Sequence, residues 1–531
     1  MSIPKLAGIE TEFAIVGEEP LSASSRVVQS YPWIDLGTDP AVASAEGPNP
    51  SVAAADGNDR MLPNGARWYV DHAHPEYSTP ESLDPLNVVI LDRAGAELAR
   101  RCVELASRSP GQPPLRLYKN NSDHFGHSYG CHENYLMDAG TYAALFGRRR
   151  EWITALLVPF LVSRIVFTGA GKVGAENGGV RVEYQLSQRA DFFEEITGLQ
   201  TTHRRPIVNL RDEPHADPTR FRRLHVIAGD ANLCPYAGWL KVGTLQIVLR
   251  LLEDGALAGL DLSLAEPVLA MRQVSRDPDC HREVALADGR AHSAVQLQAE
   301  FLNRAQRYFN GRPPSAAEAR VMQGWEETLD ALRTEPASLL GKIDWVTKRR
   351  ILGELAVHRQ WRPDGPRARE ADLQYHALDP GESLFAAIDA AGLVVYPPGW
   401  DAQAVILALA EPPTDSRAYL RGRCIRRYAS EIVRADWEEL VLPFGRVCLP
   451  DPAQPGRDAG TAILERIGTA DDLLLALSQL YSGASTVARS TDEEPPHGAG
   501  TQAQRESDGS GARGDAGAPR PSGGAGAAGR H

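Results

Sequence analysis

The chain has 531 residues, 43% of them hydrophobic, enough to bury one large core and a smaller one, and a formal net charge of −13. That acidic balance argues against a nucleic-acid partner and for ordinary solubility. No apolar run is long enough to span a bilayer, and the Met-Ser-Ile-Pro start lacks a basic region followed by a hydrophobic one, so a cytoplasmic protein without a membrane partner is expected.

The first predicted element is a strand over 5–16. Its period of two puts Ile9, Thr11, Phe13 and Ile15 on one face and Glu10 and Glu12 on the other. Carboxylates two apart on a strand lie about 7 Å from each other and repel unless a cation intervenes. Taken alone, such a pair is more often a solvated face. The stretch 36–60 is rich in Pro, Gly, Ala and Asp without amphipathic periodicity, and is expected to be a mobile loop insertion beside the site. A strand over 66–71 then sends Arg67, Tyr69 and Asp71 to one face and Trp68 and Val70 to the other. A guanidinium, a phenol and a carboxylate aligned in this way suit an ionic ligand such as a nucleotide phosphate or its metal. The plainer alternative is a surface pair of little weight. Mg²⁺, a hard cation that takes oxygen ligands, would sit economically between Glu10, Glu12 and Glu76.

Asp84-Pro85 reads as the cap and first residue of a helix running to 106. Helices are also predicted over 148–166, 295–310 and 316–335, and strands over 115–119, 179–186 and 223–228. This is an α+β pattern with an antiparallel or mixed sheet. Thr168-Gly-Ala-Gly-Lys-Val-Gly174 lacks phosphate-loop spacing and reads as a tight turn. His132 is assigned a structural or supporting role, and His225 is either a satisfied core histidine or a ligand. Arg205 and Arg211 offer planar, bidentate recognition of phosphate or carboxylate, with surface pairing as the alternative. Six cysteines without Cys-x-x-Cys spacing read as reduced thiols. After Pro397-Pro-Gly-Trp400 the character changes. The expected organisation is a catalytic domain over 1–400, a small domain over 401–482, and a disordered tail over 483–531.

Two segments carry a family resemblance: Gly8-Ile-Glu-Thr-Glu-Phe13 and Asn64-Gly-Ala-Arg-Trp-Tyr-Val-Asp-His-Ala-His-Pro-Glu-Tyr77. With Lys119-Asn-Asn-Ser-Asp123, Ser128-Tyr-Gly-Cys-His-Glu-Asn-Tyr135 and Arg223-Leu-His-Val-Ile-Ala-Gly-Asp-Ala-Asn232, they closely resemble the Pup ligase and Pup deamidase/depupylase family, relatives of glutamine synthetase. The resemblance implies a large curved sheet backed by helices, ATP and Mg²⁺ as cofactors, and Pup and pupylated proteins as partners. It also implies Asp71 as the catalytic group, nucleophile or base, and metals held by Glu10, Glu12, Tyr69, Glu76 and His225. Arg67, Thr79 and Trp437 are implied as nucleotide contacts. The family holds two opposite activities. Asp71-His-Ala-His-Pro-Glu76 and the insertion before it resemble the deamidase branch, which implies an amidohydrolase converting the C-terminal Gln of Pup to Glu and cleaving Pup–lysine isopeptide bonds. The alternatives are a Pup ligase and a weakly catalytic module that binds Pup.

Overall fold

The computed structural model describes residues 2–32, 51–108, 110–443, 445–469 and 472. Ala7–Glu12 (β1) alternates as its sequence demands, with Ile9 and Thr11 buried on one side and Glu10 and Glu12 turned to the other. It lies inside a seven-stranded sheet with Val52–Ala53 (β2), Asp59–Met61 (β3), Arg67–Asp71 (β4), His74–Ser78 (β5), Cys131–Asp138 (β6) and Phe221–Val226 (β7). The order is β7-β6-β1-β5-β4-β3-β2, and every neighbouring pair is antiparallel.

Helices Pro20–Gln29 (α1), Pro85–Ser107 (α2) and Pro235–Glu253 (α3) cover the apolar side of this sheet. The architecture is therefore the expected α+β one, with a mainly antiparallel sheet backed by helices. α2 starts where the Asp84 carboxylate accepts from the Leu86 amide at 2.9 Å, with Pro85 in the first helical position. It approaches the sheet so closely that a Cβ on Gly95 would lie 2.1 Å from the Tyr77 ring. Beneath β1, the Thr11 hydroxyl donates to Asp92 at 3.0 Å, and Asp92 is ion-paired with Lys119, so the polar groups on the helix side are satisfied. Capping boxes at Ser293/Gln296 and Ser315/Glu318 open Ala294–Asn310 and Ala316–Thr334, close to the expected helices.

Four expected elements differ. The strand over 5–16 breaks at Phe13, whose ring packs edge-on against Trp68 at 6.2 Å, and Ala14–Val16 pairs instead with Arg116–Tyr118. The helix over 148–166 contains a π turn, Ile153–Leu157, before Val158–Ser163. Pro159 has no N–H to give the Ala155 carbonyl, which accepts from Leu262 N at 3.1 Å. Of 179–186, only Tyr184–Gln185 is strand, because its partner Lys172–Val173 is itself two residues long.

The fourth difference bears on the site. Of the expected loop 36–60, residues 36–50 lie outside the described residues, but its end is part of the main sheet: β2 pairs with β3, and β3 with β4. Val52 and Met61 are buried in a second core with Leu420 and Ile425 of Ala418–Tyr428 (α4) and Leu440 and Val447 of two C-terminal strands. Composition hid this because two short edge strands need few apolar residues. The expected tail over 483–531 lies outside the described residues. Among those described, no helix is long and apolar enough to cross a membrane, and the six cysteines are free.

Candidate active site

The acidic groups are assembled by a hairpin. β4 and β5 pair Arg67 with Ser78, Tyr69 with Glu76 and Asp71 with His74, leaving His72 and Ala73 as the turn. Both have positive φ, 44° and 67°, as a two-residue hairpin turn of the type matching strand twist requires. Neither is the glycine or asparagine that adopts this conformation readily, so the turn stores strain. Ser24 of α1 secures it by donating to the Ala73 carbonyl at 2.8 Å. Asp71 thus occupies the last rung of a fixed ladder, with one carboxylate oxygen 2.5 Å from His72 Nδ1.

Because β1 pairs Glu12 with Glu76, Glu12, Asp71 and Glu76 converge, each offering an oxygen within 4.8 Å of the others. Glu12 accepts from Gly130 N at 2.8 Å. A Cβ on Gly130 would lie 2.7 Å from Glu12 Oε1 and 2.4 Å from His132 Nε2, so any larger residue there would displace these two site side chains. Burial, then the charges of Glu10, Glu12 and Asp71, push Glu76 well above the usual carboxylate range. The Tyr69 hydroxyl meets Glu76, and burial followed by that charge raises the phenol well above its ordinary value.

A second group stands beside the first. β1 sets Glu10 opposite His132, and β7 sets His225 opposite Asn134. Glu10, His132 and His225 bring their ligand atoms within 4.8 Å of one another. Asn134 bridges them, donating to Glu10 at 2.8 Å and lying 2.8 Å from His225 Nδ1. Burial opposes the Glu10 charge, but His132, His225 and Arg223 outweigh it and hold the carboxyl far below its usual range. His225 is pushed down to about 3 by burial, against the attraction of Glu10, so it is neutral near pH 7 with a lone pair to offer.

The expected ligands Glu10, Glu12, Glu76 and His225 fall into two groups, Glu12–Asp71–Glu76 and Glu10–His132–His225, so Glu10 is grouped apart from Glu12 and Glu76. The Tyr69 hydroxyl meets the first group at Glu76. His132, expected to have a structural or supporting role, sits with Nδ1 3.3 Å from Glu10, a consequence of register that no spacing in the sequence reveals.

A cavity opens next to the second group, lined among others by Gly8, Glu10, Thr79, Asn134, Arg223, His215 and Trp437. Thr79 and Trp437, two of the expected nucleotide contacts, line it. The Thr79 hydroxyl also accepts from Ile9 N at 2.9 Å. Arg421 lies 5.1 Å from the Trp437 ring and donates to its carbonyl at 2.7 Å, and Glu81 pairs with this arginine and with Arg417. The other expected contacts do not line the cavity. Arg67 borders it through Ser78 and is taken up by Asp59, with its guanidinium 4.5 Å over the Tyr69 ring. Arg205 is buried on Arg205–Asn209, donating to Thr201 O at 2.7 Å, and is pushed down to about 9 by burial and by Arg189. Arg211 is exposed.

Arg223 and His215 are among the cavity residues that sequence reasoning passed over. Arg223 Nη1 donates to Asn134 at 3.1 Å, 3.7 Å separates that nitrogen from Glu10, and Nη2 donates to Glu213 at 3.2 Å. The signal was present: the period of two that groups Arg67, Tyr69 and Asp71 also groups Arg223 with His225.

Carboxylates crowded to this degree cost stability, a cost that enzymes carry at their active sites. The family model described as Pup-ligase protein matches residues 5–441, and the chain belongs to that family. It is 41% identical over 515 residues to a chain from Acidothermus cellulolyticus named Depupylase, covering 89% of this chain and 99% of the relative. It is 40% identical over 448 residues to one from Mycolicibacterium smegmatis named Pup deamidase/depupylase, covering 82% and 87%. Among solved structures, that of the Pup ligase PafA in complex with ADP superposes with a TM-score of 0.68 at 30% identity, covering 77% of this chain and 89% of that one.

Proposed function

We propose that this chain is a Pup deamidase/depupylase, a nucleotide-dependent amidohydrolase that converts the C-terminal glutamine of Pup to glutamate and cleaves the isopeptide bond between that glutamate and a target lysine. Both bonds are γ-amides of one terminal residue, so one site serves both. The observation that carries the reading is the convergence of Asp71 with Glu12 and Glu76 on a strained hairpin, in a chain about 40% identical to proteins named for these activities.

The donor sets suit cations. Glu12, Asp71 and Glu76 form an all-oxygen group fit for Mg²⁺, and Glu10 with His132 and His225 forms a mixed one. Burial first, and then repulsion from Glu10, Glu12 and Asp71, raise Glu76, and a bound cation would oppose both. When bound, such ions polarise the amide carbonyl and neutralise ATP phosphates.

The chain's own residues do the rest. Asp71 supplies the carboxylate that attacks the γ-carbonyl or takes a proton from the attacking water. In either case a C–O bond forms as the C–N bond breaks and ammonia or the lysine amine leaves carrying a proton; where Asp71 itself attacks, water then opens the acyl–Asp71 anhydride, giving the terminal glutamate and restoring the Asp71 carboxylate. Trp437 offers an aromatic face to the adenine, Thr79 lines the same cavity, and Arg67 faces the phosphates, with Arg205 and Arg211 as outer cationic groups. Amide hydrolysis runs downhill, so ATP organises the site without stoichiometric consumption.

The test is purified chain incubated with Pup ending in Gln, and separately with a pupylated protein, with and without ATP and Mg²⁺, followed by mass spectrometry. Amide-to-acid conversion and release of the modifier are expected. Conjugation of Pup-Glu to lysine without either hydrolysis would establish a ligase instead.

A further inference from the structure

The end of the insertion, expected to be mobile loop, places a carboxylate directly on a site residue. Asp59 stands opposite Tyr69 in the β3–β4 ladder. Its two oxygens accept from Arg67, one from Nε at 2.8 Å and the other from Nη2 at 2.6 Å. This fork occupies one edge of the guanidinium and leaves the two N–H groups of Nη1 outside it. The same plane lies over the Tyr69 ring, and Tyr69 reaches on to Glu76. Arg67 is therefore held from its edge by Asp59 and from its face by Tyr69. Without the edge contact, a long side chain regains its rotamers and must be ordered anew at each binding event.

We propose that Asp59 is a positioning residue for nucleotide binding: it fixes the Arg67 guanidinium so that the N–H groups outside the fork meet the anionic phosphates, making β3 a working part of the nucleotide site. The proposal rests on the reading of Arg67 as a nucleotide contact. It explains why a short strand of unremarkable composition carries an acidic residue at this rung.

The experiment measures ADP affinity by calorimetry in the presence of Mg²⁺ for the full chain and for Asp59→Asn, Asp59→Glu, Arg67→Met and the Asp59→Asn/Arg67→Met double variant. Asp59→Asn should weaken ADP binding by about three- to tenfold, the range expected for coupled neighbours. Asp59→Glu, which keeps the carboxylate, should recover most of the loss. In the Arg67→Met background, Asp59→Asn should change nothing further. Because the pair is about one-third exposed, the melting temperature of Asp59→Asn should stay within about 2 °C of the parent. Unchanged or tighter ADP binding by Asp59→Asn, or an equal loss with and without Arg67, would overturn the proposal, as would failure of the parent chain to bind ADP. A parent that binds ADP but hydrolyses no Pup amide overturns the amidohydrolase reading and leaves the Asp59 result to stand on its own.

Discussion

Asp71 sits at the last rung of the β4–β5 hairpin, and its side chain is 38% exposed. Little packing depends on it. Asp71→Asn, nearly isosteric and uncharged, is expected to lower Pup amide hydrolysis by about 10²–10⁴-fold, the usual contribution of a group that moves a proton in the reaction. ADP affinity and melting temperature should stay near those of the parent. Hydrolysis at near-normal rates would remove Asp71 from the chemistry. His132→Ala and His225→Ala read the second group: each should raise the Mg²⁺ concentration needed for half-maximal activity, whereas His132→Ala would leave it unchanged if this residue only supported the strand. His225 has a folded pKa near 3, against 6.5 as its ordinary value. The unfolded chain therefore binds the extra proton between these values, and His225 favours unfolding as pH falls below 6.5, with no contribution above it.

At the scale of elements, the insertion divides into two parts with different consequences. Gln29, at the end of α1, donates to the Asp56 carbonyl at 3.1 Å and lies 3.2 Å from the Asn58 side chain. The two ends that flank 33–50 are thus close together, and closure cost varies only with the logarithm of loop length. Deleting 36–50 should leave the melting temperature near that of the parent. Extending the deletion through 60 removes β2, most of β3, the buried Val52 and Asp59. It should cost at least about 2 kcal/mol from the apolar side chain and lost ladder, and weaken ADP binding as well. Thermal melts of the two deletions side by side distinguish them, and equal melts would show that β2 and β3 add nothing. In α2, Gly95→Ala would drive a methyl into Tyr77, whose hydroxyl Asn64 holds at 3.0 Å. That overpacking should lower stability by about 1–3 kcal/mol in denaturant melts.

For the molecule as a whole, one buried ion network joins the second core to the catalytic sheet. Glu81, just past β5, pairs with Arg417 and Arg421, the latter also donating to the carbonyls of Gly65 and Trp437. Burial opposes the Glu81 charge, but Arg421 and then Arg417 outweigh it and pull the carboxyl from 4.5 down to about 2. A carboxylate with a depressed folded pKa contributes stability that is present above pH 4.5 and lost as the pH falls towards 2. Unfolding curves should show that loss in the parent and a flatter profile in Glu81→Gln. The variant should also be weaker at neutral pH by about 3–5 kcal/mol, since it leaves two buried guanidinium groups without their anion. A variant as stable as the parent at pH 7 would mean that the network contributes nothing to joining the two parts.

Local pattern was enough to read the chemistry of single strands. The alternation in Ala7–Glu12 and Arg67–Asp71 separates core from charge because side-chain direction along a strand is set by the backbone. The Asp84-Pro85 start of α2 was legible for a similar reason, since a cap needs only neighbours in the chain. Register was not legible. Glu10 meets His132, and Glu12 meets Glu76, through hydrogen-bonded ladders between segments far apart in sequence, so Glu10 groups with His132 and His225 and apart from Glu12 and Glu76. The insertion illustrates the same limit. Val52, Asp59 and Met61 look like loop residues by composition, and only pairing with β4 and burial against α4 turn them into edge strand and core. Residue type and spacing determine what a segment can do. Which partner it finds depends on contacts that exist only once the sheet has closed.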